Sequence, residues 1–169
     1  MIGREAELER LEKLYKSNQF EFLVMYGRRR VGKTTILQEF ASRHKVIFYS
    51  AQEKNDSLNL QDFSQAVQHS LDGHFIAPFP SWKEAFSYIT KKTQSSRTVL
   101  IIDEFPFMAG TNPSVKSILQ HEIDHEWSKK EILLILCGSS VSFMVNQIMG
   151  YESPLYGRTT SVMEILPFD

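Results

Sequence analysis

One glycine-bounded loop, Gly27-Arg28-Arg29-Arg30-Val31-Gly32-Lys33-Thr34, has a composition and spacing that can do chemistry. It matches G-x-x-x-x-G-K-[ST]. The glycines let backbone N–H groups turn inward around phosphate oxygens, the Lys33 ammonium can reach the outer phosphates, and the Thr34 hydroxyl can ligate Mg²⁺. A helix that follows directly aims its positive N-terminal end at the same anion. Gly27, Arg30, Val31, Gly32, Lys33, Thr34 and Thr35 are therefore expected to surround a nucleotide, with Lys33 also acting in catalysis. The side chains of Arg28, Arg29 and Arg30 are expected to face solvent or a partner rather than the phosphates. The bland alternative is a solvated basic turn. The apolar run before the loop and the helical pattern after it favour phosphate binding.

A second candidate is Val99-Leu100-Ile101-Ile102-Asp103-Glu104, four apolar residues running into two carboxylates. Acids at the carboxyl end of a parallel strand sit in the ligand crevice. Asp103 can complete a Mg²⁺ shell with Thr34, and Glu104 can orient or deprotonate water. The competing reading is two exposed acids opening a loop. A small-molecule kinase needs the metal-binding aspartate but must exclude water, so the adjacent Glu104 favours hydrolysis over phosphorylation of a small acceptor. No Asn-Lys-x-Asp guanine-reading string is found; the nearest, Glu53-Lys54-Asn55-Asp56, does not match, and ATP is expected rather than GTP. A third apolar run, Ile132 to Leu136, ends in Cys137-Gly138-Ser139-Ser140. A hydroxyl at that tip can bond the attacking water or the γ-phosphate. Ser139 is the first choice and Ser140 the alternative, unless Ser140 simply caps the next helix.

His121-Glu122-Ile123-Asp124-His125 matches the H-E-x-x-H zinc-protease string. At 100° per residue, however, Val115, Ile118, Leu119, Ile123 and Trp127 form one apolar stripe, and the two histidines fall off it on the polar side. Zinc catalysis also needs a third ligand and a shielded cleft. No later Glu or His is obviously placed for this; Glu126, Glu131 and Glu152 are candidates by presence alone. The string is expected to be a solvated helix face.

The elements that must hold these residues alternate. Helices are expected over residues 4–16, 33–42, 58–71, 81–92, 113–127 and 141–149, with strands over 20–26, 46–49, 99–102, 132–136 and 162–166. The strands are continuously apolar, which means burial on both faces, and helices separate them. A parallel sheet covered on both sides follows, an α/β chain of one domain over residues 1–169. The 169 residues are 42% hydrophobic and 23% charged, which excludes disordered and low-complexity classes. Nineteen Lys and Arg against 20 Asp and Glu leave a net charge of −1, so no global basic field draws nucleic acid, although a local patch can. The single cysteine, Cys137, excludes an intramolecular disulfide and a Cys-rich zinc site. No apolar run spans a bilayer, and the acidic start (Glu5, Glu7, Glu9) is unlike a signal peptide. A soluble cytoplasmic protein without membrane contact is expected.

The chain resembles the archaeal-type ATPase family, a branch of P-loop ATPases related to the AAA+ and STAND groups. The resemblance covers nearly all of the chain. It rests on Ile2-Gly3-Arg4-Glu5-x-Glu7-Leu8, the loop from Tyr26 to Thr34, Leu100-Ile-Ile-Asp-Glu-Phe-Pro106, Leu136-Cys-Gly-Ser-Ser-Val-Ser-Phe-Met144, and Ser153-Pro-Leu-Tyr-Gly-Arg-Thr159 running into Leu166-Pro-Phe168. It implies a three-layer P-loop NTPase fold with strand order 5-1-4-3-2. It implies that Gly3-Arg4 lies near the adenine, that Ser139 senses the γ-phosphate, and that Arg158 stands where relatives carry an arginine acting on a γ-phosphate, in the same chain or across a subunit interface. Members usually continue into a helical lid or winged-helix region, often with a nuclease-like domain, so 1–169 reads as an ATPase core cut short or occurring as a natural fragment. The resulting expectation is Mg²⁺-dependent ATP hydrolysis coupled to conformational change, with homo-oligomerisation as a further implication. The competing expectation is a nucleotide-dependent switch or interaction module with little turnover.

Overall fold

The computed structural model describes residues 3–168. Ile2, part of the opening string, lies outside them. Five strands form one fully parallel sheet: β1 (Glu21–Tyr26), β2 (Val46–Ser50), β3 (Thr98–Asp103), β4 (Ile132–Gly138) and β5 (Ser161–Glu164). Their order is β2-β3-β4-β1-β5, which read from the other edge is the expected 5-1-4-3-2. Six α-helices complete three layers: α1 (Glu5–Tyr15), α2 (Lys33–Ser42), α3 (Asp56–Asp72), α4 (Trp82–Lys92), α5 (Phe105–Thr111) and α6 (Ser114–His125).

Strand side chains alternate between faces, and both faces are covered. Leu23, Met25, Val99, Ile101, Leu133 and Ile135 pack with Leu8 and Leu11 of α1 and with Ile36, Leu37 and Phe40 of α2. Phe22, Val24, Leu100, Ile102, Leu134 and Leu136 pack on the opposite side with Phe63 of α3, Phe86 of α4, Met108 of α5 and Leu119 of α6. All seven residues of the central strand β4 are buried.

Local chemistry sets most of the ends. Asn55 caps α3 by accepting from Leu58 N at 2.9 Å, so the helix starts at Asp56, two residues before the expected start. Ser81 caps α4 by accepting from Glu84 N at 3.2 Å. Arg97 closes the C-terminal end of α1 by donating to the carbonyls of Leu14, Tyr15 and Ser17, where a cation also suits the helix dipole. Three features differ from expectation. α5 has no counterpart among the expected elements; Pro106 in its first turn is compatible with a helix start. α6 ends at His125, and a separate 3₁₀ turn, Trp127–Lys129, follows it. The segment expected as an α-helix over 141–149 is wound as a π-helix over Phe143–Ile148. Among the described residues no helix is long and apolar enough to cross a membrane.

The π-helix and α5 meet over the tip of β4. A Cβ added at Gly138 would lie 2.7 Å from Met144 Sδ and 2.8 Å from Pro106 Cδ. Met144 can yield, but the Pro106 ring cannot without moving α5. Gly138→Ala is therefore expected to destabilise the fold by about 1–3 kcal/mol, the usual cost of overpacking. Urea unfolding measures this, and an unchanged midpoint would contradict the close approach.

Candidate functional site

The site lies at the carboxyl ends of β1, β3 and β4. In register, Tyr26 pairs with Gly138, and Ile102 with Leu136. One residue beyond each pair, Gly27, Ser139 and Asp103 emerge at the same pole. Gly27 is held tightly: a Cβ there would meet the Ile165 carbonyl at 2.4 Å. The loop then needs positive φ at Arg30 (66°) and Gly32 (100°) before α2 begins at Lys33. Gly32 offers no side-chain cap, so the first-turn N–H groups of α2 remain directed at the cleft for an anion.

A cleft of about 230 Å³ lies over this turn, lined by Arg29, Arg30, Gly32, Lys33, Thr34, Thr35, Glu104 and Ser139. Lys33 is 5% exposed, and its ammonium donates to the Arg28 carbonyl at 2.7 Å, bracing the loop across its own width. The Thr34 hydroxyl donates to Asp103 Oδ2 at 2.7 Å, joining the start of α2 to the tip of β3. A hydroxyl and a carboxylate side by side are hard oxygen donors. They suit Mg²⁺, which takes few protein ligands and fills the remainder with phosphate oxygens and water. Buried between these groups, Cys137 has its thiol pushed well above the usual range by desolvation and then by the Asp103 charge, so it stays protonated.

Asp103 and Glu104 diverge. Asp103 Oδ1 accepts from Glu104 N at 3.0 Å. Glu104 itself adopts φ 53°, ψ 45°, a left-handed conformation that costs a non-glycine residue about 1–2 kcal/mol. Its carboxylate accepts from Ser139 N at 2.9 Å. Arg30 and Glu104 are the only described non-glycine residues with positive φ, and both line this cleft. The partner of Glu104 is thus the Ser139 main chain, not a hydroxyl, which residue type could not reveal. Ser140 is exposed, and its carbonyl rather than its hydroxyl accepts the bond from Met144 N at 3.0 Å.

Arg4 is buried at 5% exposure beside the loop. It donates to the Val31 carbonyl at 2.7 Å and to the Leu166 carbonyl at 2.9 Å, and its guanidinium stacks 4.1 Å from the centre of the Phe168 ring. It clasps the start of α1, the loop and the segment after β5. The sequence offers no cue to this clasp.

Arg158 requires a correction. Thr160 N donates to Phe22 O at 2.8 Å, so this segment enters beside the beginning of β1. Gly27 lies five residues further along, about 16 Å at strand rise. The guanidinium is instead forked onto Asp124, with Nε at 2.8 Å from Oδ1 and Nη2 at 2.7 Å from Oδ2, and it also donates to Pro154 O and Tyr156 O. The expected reach to a γ-phosphate in its own chain does not hold here, because the residue sits at the opposite pole of the sheet.

The H-E-x-x-H string is arranged against zinc chemistry. His121 and His125 are exposed and stacked, centroids 4.0 Å apart, and His125 Nδ1 donates to the His121 carbonyl at 2.9 Å. The Glu122 carboxylate is turned inward and accepts from Thr90. Among the described residues no three His, Cys, Asp or Glu side chains converge on one point.

The family model for an ATPase domain predominantly from Archaea matches residues 1–169. An uncharacterized protein of Methanocaldococcus jannaschii is 34% identical over 166 residues, covering 98% of this chain and 36% of the relative. Among solved structures, a Walker-type ATPase of Pyrococcus abyssi superposes with a TM-score of 0.73 at 20% identity, covering 100% of this chain and 55% of that one. Cdc6p of Pyrobaculum aerophilum superposes at 0.66 and 17% identity, covering 99% and 46%. At these identities the two structures speak for the fold alone. The chain spans about a third to a half of the length of these proteins.

The Arg158 fork, then the Gln120 hydrogen bond, outweigh burial and hold the Asp124 carboxyl at about 2, below its ordinary 3.8. Stability from a depressed acid is complete above the unfolded value and is lost as pH falls through the folded one. The melting-temperature gap between the parent and Arg158→Ala is therefore expected to be constant above about pH 4 and to narrow toward pH 2. A gap independent of pH over that window would contradict the pair.

Proposed function

The chain belongs to the family of ATPase domains found predominantly in Archaea, and on that footing we propose that it binds ATP with Mg²⁺ in the cleft over Gly27–Thr35 and hydrolyses it to ADP and phosphate. The observation that carries this reading is the 2.7 Å contact between Thr34 and Asp103, with Glu104 beside it. Thr34 and Asp103 would hold the Mg²⁺, which neutralises phosphate charge when bound. Lys33 exchanges the Arg28 carbonyl for phosphate oxygens. The N–H groups of Arg30, Val31 and Gly32 and of the α2 start, with Thr35 beside them, bind the phosphate chain. Arg4 fixes the loop from behind, near the adenine side. Glu104 orients water and accepts its proton.

Coupling to conformation runs through Glu104 and Ser139. A γ-phosphate that draws Glu104 away frees Ser139 N, and Ser139 leads directly into the π-helix. That segment would pass the nucleotide state to a lid, winged-helix or nuclease-like domain, or to a second subunit. Arg158 would serve a γ-phosphate only across such an interface, after leaving Asp124. One observation favours a second reading, a nucleotide switch with little turnover: Glu104 is already engaged by Ser139 N. A cytoplasmic location agrees with the chemistry, and nucleic-acid contact would be local rather than driven by net charge.

Lys33→Ala is expected to lose ATP binding or turnover with the fold intact, since charge-assisted phosphate contacts contribute about 1.5–3 kcal/mol each. Calorimetric titration with ATP measures this, and parental affinity and turnover in the variant would sink the assignment.

Glu104→Gln is expected to keep ATP affinity and slow phosphate release by about two to four decades, whereas Asp103→Asn should raise the Mg²⁺ concentration required. Identical Mg²⁺ dependence in the two variants would refute the separate roles.

A further inference from the structure

The chain has eight arginines. Five have hydrogen-bonded guanidiniums: Arg4, Arg10, Arg43, Arg97 and Arg158. The other three, Arg28, Arg29 and Arg30, are consecutive and exposed, and their guanidiniums have no hydrogen-bond or ion-pair partner among the described residues. All the arginine charge left unspent therefore gathers on the phosphate loop. The three positions are not equivalent. Arg28 borders a cavity on the β5 side with Gly27, Glu164 and Ile165. Arg30 borders the phosphate cleft alone. Arg29 borders both that cleft and an adjoining cavity of about 140 Å³ walled by Glu104, Pro106, Phe107, Ser139 and Ser140.

Arg29, Glu104 and Ser139 are the residues common to the two cavities. In the proposed reaction the terminal phosphoryl group and its attacking water must meet beside Glu104, at the junction of these cavities. Glu104 bonds Ser139 N rather than Arg29, so the guanidinium is not paired with the acid that shares both cavities with it. Arg158, the other arginine considered for the γ-phosphate, is at the far pole and already forked onto Asp124.

We propose that Arg29 is a catalytic cation acting within its own chain, meeting the γ-phosphoryl oxygens as the group transfers to water. This inference rests on the ATP-hydrolysis reading above. The water oxygen bonds to Pγ while the bond from Pγ to the β–γ bridging oxygen breaks, its electron pair leaving on ADP. The Glu104 carboxylate takes a water proton, and the products are ADP and orthophosphate. Negative charge spreads over the equatorial and bridging oxygens in this transition state, where a planar, permanently charged fork is worth most. A side chain unpartnered beforehand gives up no protein contact to bind there.

The test compares MgADP with MgADP plus fluoroaluminate, a mimic of the transferring phosphoryl group, on the parent, Arg29→Ala and Arg29→Lys. Phosphate release from MgATP is followed alongside. The parent should bind the fluoroaluminate complex more tightly than MgADP. Arg29→Ala should keep MgADP affinity, lose the fluoroaluminate advantage and slow turnover by about three decades or more, as removing an arginine finger does. Arg29→Lys should recover only part, since a point charge lacks the fork. If the parent shows the advantage and Arg29→Ala retains it, this inference falls and the ATPase reading stands. If the parent shows neither the advantage nor turnover, both fall. Equal weakening of MgADP and its fluoroaluminate complex would make Arg29 a ground-state phosphate contact. Loss of single-stranded oligonucleotide binding with turnover intact would make it a nucleic-acid contact. Either result overturns the proposal.

Discussion

The hydrogen bond from Thr34 to Asp103 joins residues 69 positions apart, and the architecture of the chain is what brings them together. The loop follows β1 and the acids follow β3, with β4 between the two strands. Parallel pairing sends all three carboxyl ends to one pole, so a hydroxyl, two carboxylates and a turn of inward N–H groups converge without any long excursion. Such a sheet must be covered on both faces, and the helices that cover it also supply the crossovers. The apolar cost of exposing β4, buried along its whole length, therefore protects the geometry of a polar site at its tip.

Around that contact the backbone is held away from its relaxed conformations. Arg30 and Glu104 both have positive φ, and α5 starts directly from the reversal at Glu104. Strain of this kind persists only where neighbours over-determine it. Here the neighbours are Asp103 Oδ1 on Glu104 N, Ser139 N on the Glu104 carboxylate, and Pro106 and Met144 crowding Gly138. The same contacts connect the cleft to the π-helix.

The five strands and the phosphate loop were legible because their signals are local: continuous apolar runs, a fixed glycine-lysine spacing, and acids at a strand end. The position of β4 between β1 and β3 was legible at the level of fold resemblance. What escaped depends on tertiary placement. α5 is one such element, because its driving force is burial of Phe105, Met108 and Ala109 against β4 and α6. The π-helix carries no composition mark. Glu104 finding a main-chain N–H, Arg4 clasping two carbonyls, and Arg29 bordering two cavities are all contacts between distant segments. Arg158 shows the converse: a motif can mark a residue while the strand it precedes carries it to the wrong pole. Helix periodicity places His121 and His125 off the apolar stripe, and both are exposed in the structure.

Orthophosphate released from ATP by the unaltered chain, followed as Mg²⁺ is titrated, tests the central claim most directly. The account predicts release that is absent without the metal, saturates with it, and is greater with ATP than with GTP. Failure to bind ATP at any Mg²⁺ concentration, in a chain shown to be folded, would contradict it.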